Sequence, residues 1–206
     1  MKKFISVAVA VLMLTAFSAC GDGDTKTGAS PTDVSPGDIE ILDPTPTPEP
    51  QPVGELSICG IPIVSDGQPT GIGYRGAVYE DGVLTLENLD ILADHGAVSA
   101  VSFTGDLEIV VKGETTITAE NGCAAIKGEV SDDGESNLVI SGDGTLTVSA
   151  SETFGISCTG TINVTCGALD ITGAEEAVEG GAESLTLGEG LVLAGDSAHI
   201  AVGPAD

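Results

Sequence analysis

Thirteen residues in the middle of the chain, "LVISGDGTLTVSA" (Leu138–Ala150), carry the pattern that decides the fold. Apolar and polar residues alternate on both sides of the central Gly142-Asp143-Gly144. Such alternation is typical of β-strands with one buried face, and glycine marks a break between two strands. Taken alone, this break fits a hairpin turn, a metal-binding loop or the corner of a repeat.

The same pattern recurs from Leu56 onward, with three apolar positions in every period. The first position holds the pairs Leu56/Ile58, Leu84/Leu86, Ile109/Val111, Leu138/Ile140, Ile162/Val164 and Leu185/Leu187. The second holds Ile61/Ile63, Leu89/Ile91, Thr115/Ile117, Leu146/Val148, Leu169/Ile171 and Leu191/Leu193. The third, at intervals of 23, 25, 30, 22 and 22 residues, holds Val78, Val101, Ile126, Ile156, Val178 and Ile200. A period of this length, built from short strands, predicts a solenoid.

We therefore predict an all-β fold, a right-handed parallel β-helix of about six three-strand coils, in which each strand pairs with its equivalent in the next coil. Gly142-Asp143-Gly144 is then a corner between the first and second strands of a coil. Its equivalents vary in length while the flanking strands keep their spacing, which disfavours a hairpin. Two longer segments, Asp66–Ala77 and Glu129–Asn137, are expected to be surface loops that either carry binding or vary neutrally.

The first 54 residues are not expected to join this fold. Residues 1–19 have two lysines and an apolar run too short to span a bilayer, the layout of a secretory signal. The following Cys20-Gly21 resembles the lipidation site of bacterial lipoproteins, although an ordinary cleaved signal with an incidental cysteine also fits. Residues 20–54 are a Pro-rich acidic linker that should stay extended. This organisation predicts a domain, residues 55–206, anchored by a lipid to the outer face of a bacterial cell membrane.

The charge of the chain excludes some partners. It carries 32 Asp and Glu against 6 Lys and Arg, a formal net charge of −26, and loss of the signal with its two lysines makes this −28. So acidic a surface disfavours nucleic acid and anionic lipid, and it favours bound cations. The only membrane contact expected is through the lipid anchor.

Carboxylates recur at two corners of the predicted coils. Equivalent residues in adjacent coils should lie about 5 Å apart, so these columns would bring like charges together unless cations bridge them. Ca²⁺ accepts carboxylate and carbonyl oxygens in flexible sites, so it is the candidate metal. The alternative is that these exposed acids simply face solvent. The first column is Asp66, Asp94, Glu120, Glu152, Glu175 and Asp196, and the second is Glu87, Glu114, Asp143 and Glu189.

The stretches "GDLEIVVKGETTITAENGCAAIKG", "LVISGDGTLTVSA" and "GISCTGTINVTCGALDITG" resemble a known family. This is the carbohydrate-binding right-handed parallel β-helix family of clostridial-type surface proteins, and the likeness covers roughly residues 55–206. The resemblance implies coils like those of pectate lyases, no catalysis, and binding of plant cell-wall or other acidic polysaccharide with help from calcium. The chain departs from the family in ending without a visible cap over the last coil, which leaves self-association through that coil open.

Three functions follow from these observations. The first is polysaccharide binding, for which Tyr74, Arg75 and Tyr79 in the first long loop are the candidate sugar contacts, although core packing of a tyrosine ring also fits. The second is a structural or adhesive spacer that meets a protein partner through its open end. The third is a polysaccharide lyase or glycosidase, which is disfavoured because the predicted domain has few basic side chains to serve as catalytic base or to position a sugar. We therefore expect no catalytic residues.

Overall fold

The computed structural model describes residues 51–132 and 134–205. They belong to one compact unit, Thr47–Asp206. The predicted signal, Cys20 and most of the predicted linker lie outside the described residues. The linker's last residues pack on the strands: Val53 is buried, and the Gly54 amide donates to the Thr104 carbonyl at 3.1 Å. In the described part of the chain, no helix has the length and apolar character needed to cross a membrane.

The described residues form three six-stranded sheets and one short 3-10 helix, Ala182–Ser184, so the all-β prediction is confirmed. Sheet 1 contains β1 (Leu56–Ile58), β2 (Ile61–Ser65), β3 (Gln68–Pro69), β7 (Val101–Thr104), β10 (Ile126–Glu129) and β13 (Ile156–Cys158). Sheet 2 contains β4 (Ala77–Glu80), β5 (Val83–Glu87), β8 (Asp106–Lys112), β11 (Asn137–Gly142), β14 (Ile162–Val164) and β16 (Leu185–Leu187). Sheet 3 contains β6 (Asp90–Ala93), β9 (Glu114–Ala119), β12 (Thr145–Ala150), β15 (Ala168–Gly173), β17 (Leu191–Gly195) and β18 (His199–Pro204).

Through the middle of the chain, consecutive strands belong to different sheets. The triplets β7-β8-β9, β10-β11-β12 and β13-β14-β15 each pass from sheet 1 to sheet 2 to sheet 3. Each strand of the second triplet pairs in parallel with its equivalent in the first and in the third. Sheet 2 extends this parallel ladder to β5 and β16, and sheet 3 extends it to β6.

The buried faces of these ladders hold the apolar positions that the sequence pattern indicated. Ile126 pairs with Val101 and Ile156 in sheet 1, and Val148 pairs with Ile117 and Ile171 in sheet 3. All six side chains are fully buried, and each such burial stabilises the fold by about 1.5–3 kcal/mol. The predicted second and third columns are therefore correct in this part of the chain.

In the first column, the observed pairing of β8 with β11 is shifted by two residues from the predicted register. Leu138 pairs with Leu107 rather than Ile109, and Ile140 pairs with Ile109 rather than Val111. β8 has three alternate buried residues, so the sequence pattern fits either register. A shift of two keeps the same side chains on the buried face, which is why the pattern could not exclude it.

The predicted first coil is wrong. β1 pairs antiparallel with both β2 and β7, so Leu56 and Ile58 belong to sheet 1 and not to the first column. β4 pairs antiparallel with β5, and Val78, expected in the third column, is 57% exposed on that edge strand.

The predicted last coil is only partly correct: Leu185 and Leu187 pair in parallel with Ile162 and Val164 as expected, but Ile200 does not lie in the third column. β18 pairs antiparallel with β15 and β17, which buries Ile200 and Val202 in sheet 3. Each sheet therefore carries antiparallel strands at one end of its parallel ladder: β1 in sheet 1, β4 in sheet 2 and β18 in sheet 3. The chain's C-terminal segment lies inside sheet 3 and not on an open coil.

The corner at Gly142-Asp143-Gly144 joins β11 in sheet 2 to β12 in sheet 3, so it is not a hairpin. It rests on the preceding corner, because the Gly144 amide donates to the Val111 carbonyl at 3.1 Å. Gly142 has φ 106°, and a Cβ there would lie 2.2 Å from the Val111 oxygen. Glycine is required at this position by both conformation and space.

Replacing Gly142 with Ala should therefore destabilise the protein by about 1–3 kcal/mol, the usual cost of forcing extra volume into a packed site. Gly203→Ala is the matched control, since a Cβ at Gly203 meets no atom within 4 Å. Urea unfolding monitored by circular dichroism measures both changes. Equal stability of the two variants would contradict this account of the corner.

Candidate functional site

A groove of about 400 Å³ lies on the outer face of sheet 1. Its floor is a row of polar side chains, one from each neighbouring strand, which we call the polar ladder: Ser102 on β7, Lys127 on β10, Ser157 on β13, and Glu179 beyond it. Lys127 pairs directly with Ser102 and with Ser157 in the parallel register. Glu179 continues the row because its amide donates to the Ile156 carbonyl at 2.9 Å.

The polar ladder is held by side-chain hydrogen bonds. Ser157 Oγ donates to Glu179 Oε2 at 2.5 Å, and the hydroxyls of Ser102 and Ser57 lie 2.8 Å apart. Lys127 Nζ lies 2.5 Å from Glu129 Oε1, and both side chains are about half exposed. The ladder thus presents hydroxyl, ammonium and carboxylate groups at the spacing of adjacent strands, about 4.8 Å.

The rim of the groove comes from the loops that lead from sheet 3 into sheet 1. Ser99 precedes β7, Cys123 and Ala124 precede β10, and Thr153 and Phe154 precede β13. Phe154 is half-buried and lines the groove, whereas Phe103 is buried in the core. Phe154 therefore provides an aromatic ring beside the polar ladder.

Sequence reasoning missed this site. The sugar contacts predicted from the sequence were Tyr74, Arg75 and Tyr79, and they did not include Phe154. The sequence did contain one indication of this groove. In each of these sheet 1 strands, the residue after the first buried position faces outward and is polar. Those residues are Ser102, Lys127 and Ser157.

Four acids of the first predicted column lie on the rim loops, just after the strands of sheet 3. The amide of Glu120 donates to the Ala93 carbonyl at 2.8 Å, which places Glu120 beside Asp94 on the neighbouring loop. Ser151 takes the corresponding position after β12, because its amide donates to the Ala119 carbonyl at 3.0 Å. Glu152 and Glu175 therefore lie one residue further along their loops.

The other two acids of that column lie in hairpin turns. Asp66 lies between β2 and β3, with its amide donating to Glu55 Oε1 at 2.8 Å. Asp196 lies between β17 and β18, where its Oδ1 accepts the amides of Ala198 and His199. These two acids thus follow strands that pair antiparallel with their neighbours, and not the parallel strands that the predicted column required.

The second predicted column is interrupted by other side chains. Glu87 pairs with Lys112 across β5 and β8, and Glu114 pairs with Thr145 across β9 and β12. Asp143 lies in the Gly142–Gly144 corner, and Glu189 lies between β16 and β17. All ten acids of the two columns are exposed. Within the described residues, no group of three or more His, Cys, Asp or Glu side chains could hold a metal ion.

The predicted tyrosine loop forms a separate pocket of about 240 Å³. Tyr74 and Tyr79 both line it, together with the exposed Ile72 and Val78, and both tyrosines also pack against the core. Burial is the main cause that raises the pKa of both phenols. Arg75 is exposed and lies outside this pocket. The structure thus brings the two tyrosines together but not the arginine with them.

One histidine forms a defined pair on the outer face of sheet 3. His199 Nε2 lies 2.9 Å from Asp170 Oδ2, and the two residues lie on the paired strands β18 and β15. The hydrogen bond to Asp170, helped by its negative charge, raises the pKa of His199 above the usual 6.5. Because the protonated form is favoured by folding, this pair stabilises the protein below the unfolded-state pKa. That contribution is lost as pH rises through the folded-state pKa.

Asp170→Asn should therefore lower the pKa of His199 toward its ordinary value, because the charged acceptor is removed. Asp90→Asn is the matched control, since Asp90 lies on β6, away from β18. An NMR titration of the imidazole signals measures both. If the titration of His199 were unchanged in Asp170→Asn, the pairing would be contradicted.

Comparison with protein families gives a match over residues 76–196, more than half of the chain, to a model described as carbohydrate-binding domain-containing protein. The chain belongs to this family. Neither a search of curated proteins nor a search of solved structures returned a match. The residues that line the sheet 1 groove, from Ala97 to Glu179, all lie within the matched segment of the carbohydrate-binding family, whereas Tyr74 and Arg75 precede it.

Proposed function

We propose that this protein binds a polysaccharide, without cleaving it, in the groove over sheet 1. The single observation that carries the proposal is the position of that groove inside the segment matched by the carbohydrate-binding family. Sugar sites combine a small number of polar groups with an aromatic or apolar surface. The polar ladder supplies the first and Phe154 the second.

Each polar group of the groove has a role that suits a sugar. Lys127 donates hydrogen bonds, the carboxylates of Glu129 and Glu179 accept them from sugar hydroxyls, and the serine hydroxyls do either. Bonds that involve a charged partner are stronger than those between neutral groups. The ring of Phe154 offers a flat apolar face for the C–H surface of one sugar. This combination favours binding by contact with several hydroxyls.

We further propose that the three sheets are the sides of a right-handed parallel β-helix. The support is the repeated passage from sheet 1 to sheet 2 to sheet 3, with each strand parallel to its equivalent. Crossover connections between parallel strands are right-handed in nearly all proteins. The parallel ladder of sheet 3 has four strands, β6, β9, β12 and β15, so the helix is shorter than the six coils first expected.

Non-catalytic binding is the better proposal for this groove. Lys127 is the one cationic side chain among the described residues that line it, and it is engaged by Glu129. A lyase base must reach a proton of the substrate, whereas this ammonium already contacts a carboxylate of the protein. Binding without cleavage also agrees with membership of a carbohydrate-binding family.

Binding of an acidic polysaccharide would require calcium. Glu129 and Glu179 in the groove, with Asp94 and Glu120 on the rim, would repel a uronate chain at close range. Because the protein alone brings together fewer than three suitable side chains in its described part, the glycan's own carboxylates would have to complete the coordination of Ca²⁺. We therefore propose Ca²⁺ as a bridge between the rim loops and the glycan.

The proposed location follows from the N-terminal sequence. Lipidation of Cys20 would tether the chain to the outer face of the bacterial cell membrane, and the Pro-rich linker would hold the sheets away from the surface. A groove displayed in this way can reach insoluble polysaccharide outside the cell.

A structural spacer remains the second candidate, and one feature favours it. β17 is the edge strand of sheet 3, with Val192 48% and Leu193 37% exposed. An unpaired apolar edge can add a strand from a second copy of the chain. Self-association would thus occur through β17, and not through an open last coil.

Lys127→Gln should weaken retention on polysaccharide about tenfold or more, since it removes a charged hydrogen-bond donor from the centre of the ladder. Lys112→Gln is the matched control, with the same charge change at an exposed position on β8. Pull-down of the full chain on cellulose and on polygalacturonate gel measures retention, and product analysis tests for cleavage. No retention of the unaltered chain on either polymer would overturn the proposal and favour the spacer. Release of sugars would favour an enzyme.

Retention on polygalacturonate should be lost when EDTA removes Ca²⁺, and it should return when Ca²⁺ is added back. Asp94→Asn with Glu120→Gln should weaken this calcium-dependent retention, because the two carboxylates lie on adjacent rim loops. Asp66→Asn with Asp196→Asn is the control pair, because these acids lie in hairpin turns. Equal effects of the two pairs would show that net charge alone is involved and would contradict a specific bridge.

A further inference from the structure

We infer that the groove recognises a linear glycan lying across the strands, with one sugar over each strand. This inference rests on the proposed function and adds the direction, register and minimum length of the ligand. Its basis is that the groove is built from repeated units, each consisting of one strand of sheet 1 and the loop that precedes it.

The repeat of the groove is set by the parallel register. Ser102, Lys127 and Ser157 are paired residues on β7, β10 and β13, so the polar ladder runs perpendicular to the strands. With neighbouring strands about 4.8 Å apart, the ladder from Ser102 to Glu179 extends about 14 Å. The spacing of the strands is close to the length of one hexose in an extended polysaccharide. A glycan along this line would therefore meet an equivalent position at every sugar.

The three units also share a rim. Ser99 precedes β7, Ala124 precedes β10 and Phe154 precedes β13, and all three line the same groove. Each sugar would thus contact one ladder residue below it and one loop beside it. A ligand of a single sugar would use only one of these units and leave the others in water.

The units differ in chemistry, which gives the groove a direction. The Ser102 end has a hydroxyl bonded to Ser57, the middle has the ammonium of Lys127, and the far end has Phe154 with the bonded pair of Ser157 and Glu179. Only the sugar over β13 can stack on the Phe154 ring. The contacts at the Phe154 end should therefore provide the gain in affinity from one sugar of the chain. The contacts at the Ser102 end should provide the gain from another sugar.

The test is isothermal calorimetry of the full chain with two series of oligosaccharides, one to six sugars long: cello-oligosaccharides, and oligogalacturonates with Ca²⁺. We expect affinity to rise severalfold with each added sugar up to three or four sugars and then to level off. Equal affinity for one sugar and for six, or a rise that continues to six, would overturn the inference. Absence of binding to every oligosaccharide and to both polymers would instead overturn the proposed function.

Two variants test the register at opposite ends. Phe154→Ala should remove the gain from one sugar, so that affinity levels off one sugar earlier, and Ser102→Ala should do the same from the other end. Val78→Ala, which removes an exposed apolar side chain from β4, is the control and should leave the length dependence unchanged. A uniform loss of affinity at every length in both end variants would contradict the assignment of one sugar to each strand. If Phe154→Ala fails to fold, Ser102→Ala tests the register alone.

Discussion

The stacking of equivalent aliphatic side chains from one parallel strand to the next is the interaction on which the rest of the structure depends. Ile126 lies between Val101 and Ile156, and Val148 lies between Ile117 and Ile171, all fully buried. Because side chains alternate between the two faces of a strand, this inward register also sets the outward one. The residues of the polar ladder line up across the strands because the buried residues next to them in sequence are paired in register.

The loops of the groove depend on the same constraint. The segments after β9 and β12 leave sheet 3 at aligned residues, since Ala119 pairs with Ala150. They enter sheet 1 at aligned residues as well, since Ile126 pairs with Ile156. Between these points the loops differ in sequence, "ENGCAA" against "SETFG". The framework thus holds the loops in a row while leaving their chemistry free to vary, which is the arrangement expected of a binding surface.

The negative charge of the groove implies different contacts for a neutral glycan and for an acidic one. Its carboxylates suit the hydroxyls of a neutral sugar directly, whereas a uronate needs a cation between like charges. The acids first identified by their spacing do not form one continuous column, because Lys112 and Thr145 stand opposite Glu87 and Glu114. The proposed calcium bridge therefore depends on the geometry of individual pairs of rim carboxylates, and not on a continuous row of charge.

The sequence by itself determined the all-β class, the inward positions of the central strands and the glycine corner at Gly142, because alternation and glycine placement are local properties of the chain. Only the tertiary structure decided the direction of pairing at the two ends. A strand with period-two alternation buries the same side chains whether its partner is parallel or antiparallel. The positions of Leu56 and Ile200 in the sequence therefore could not indicate that their strands pair antiparallel. The groove was likewise formed only by the tertiary structure. Lys127, Phe154 and Glu179 are distant in sequence, and they form one surface only because parallel register and loop length bring them to the same face of sheet 1.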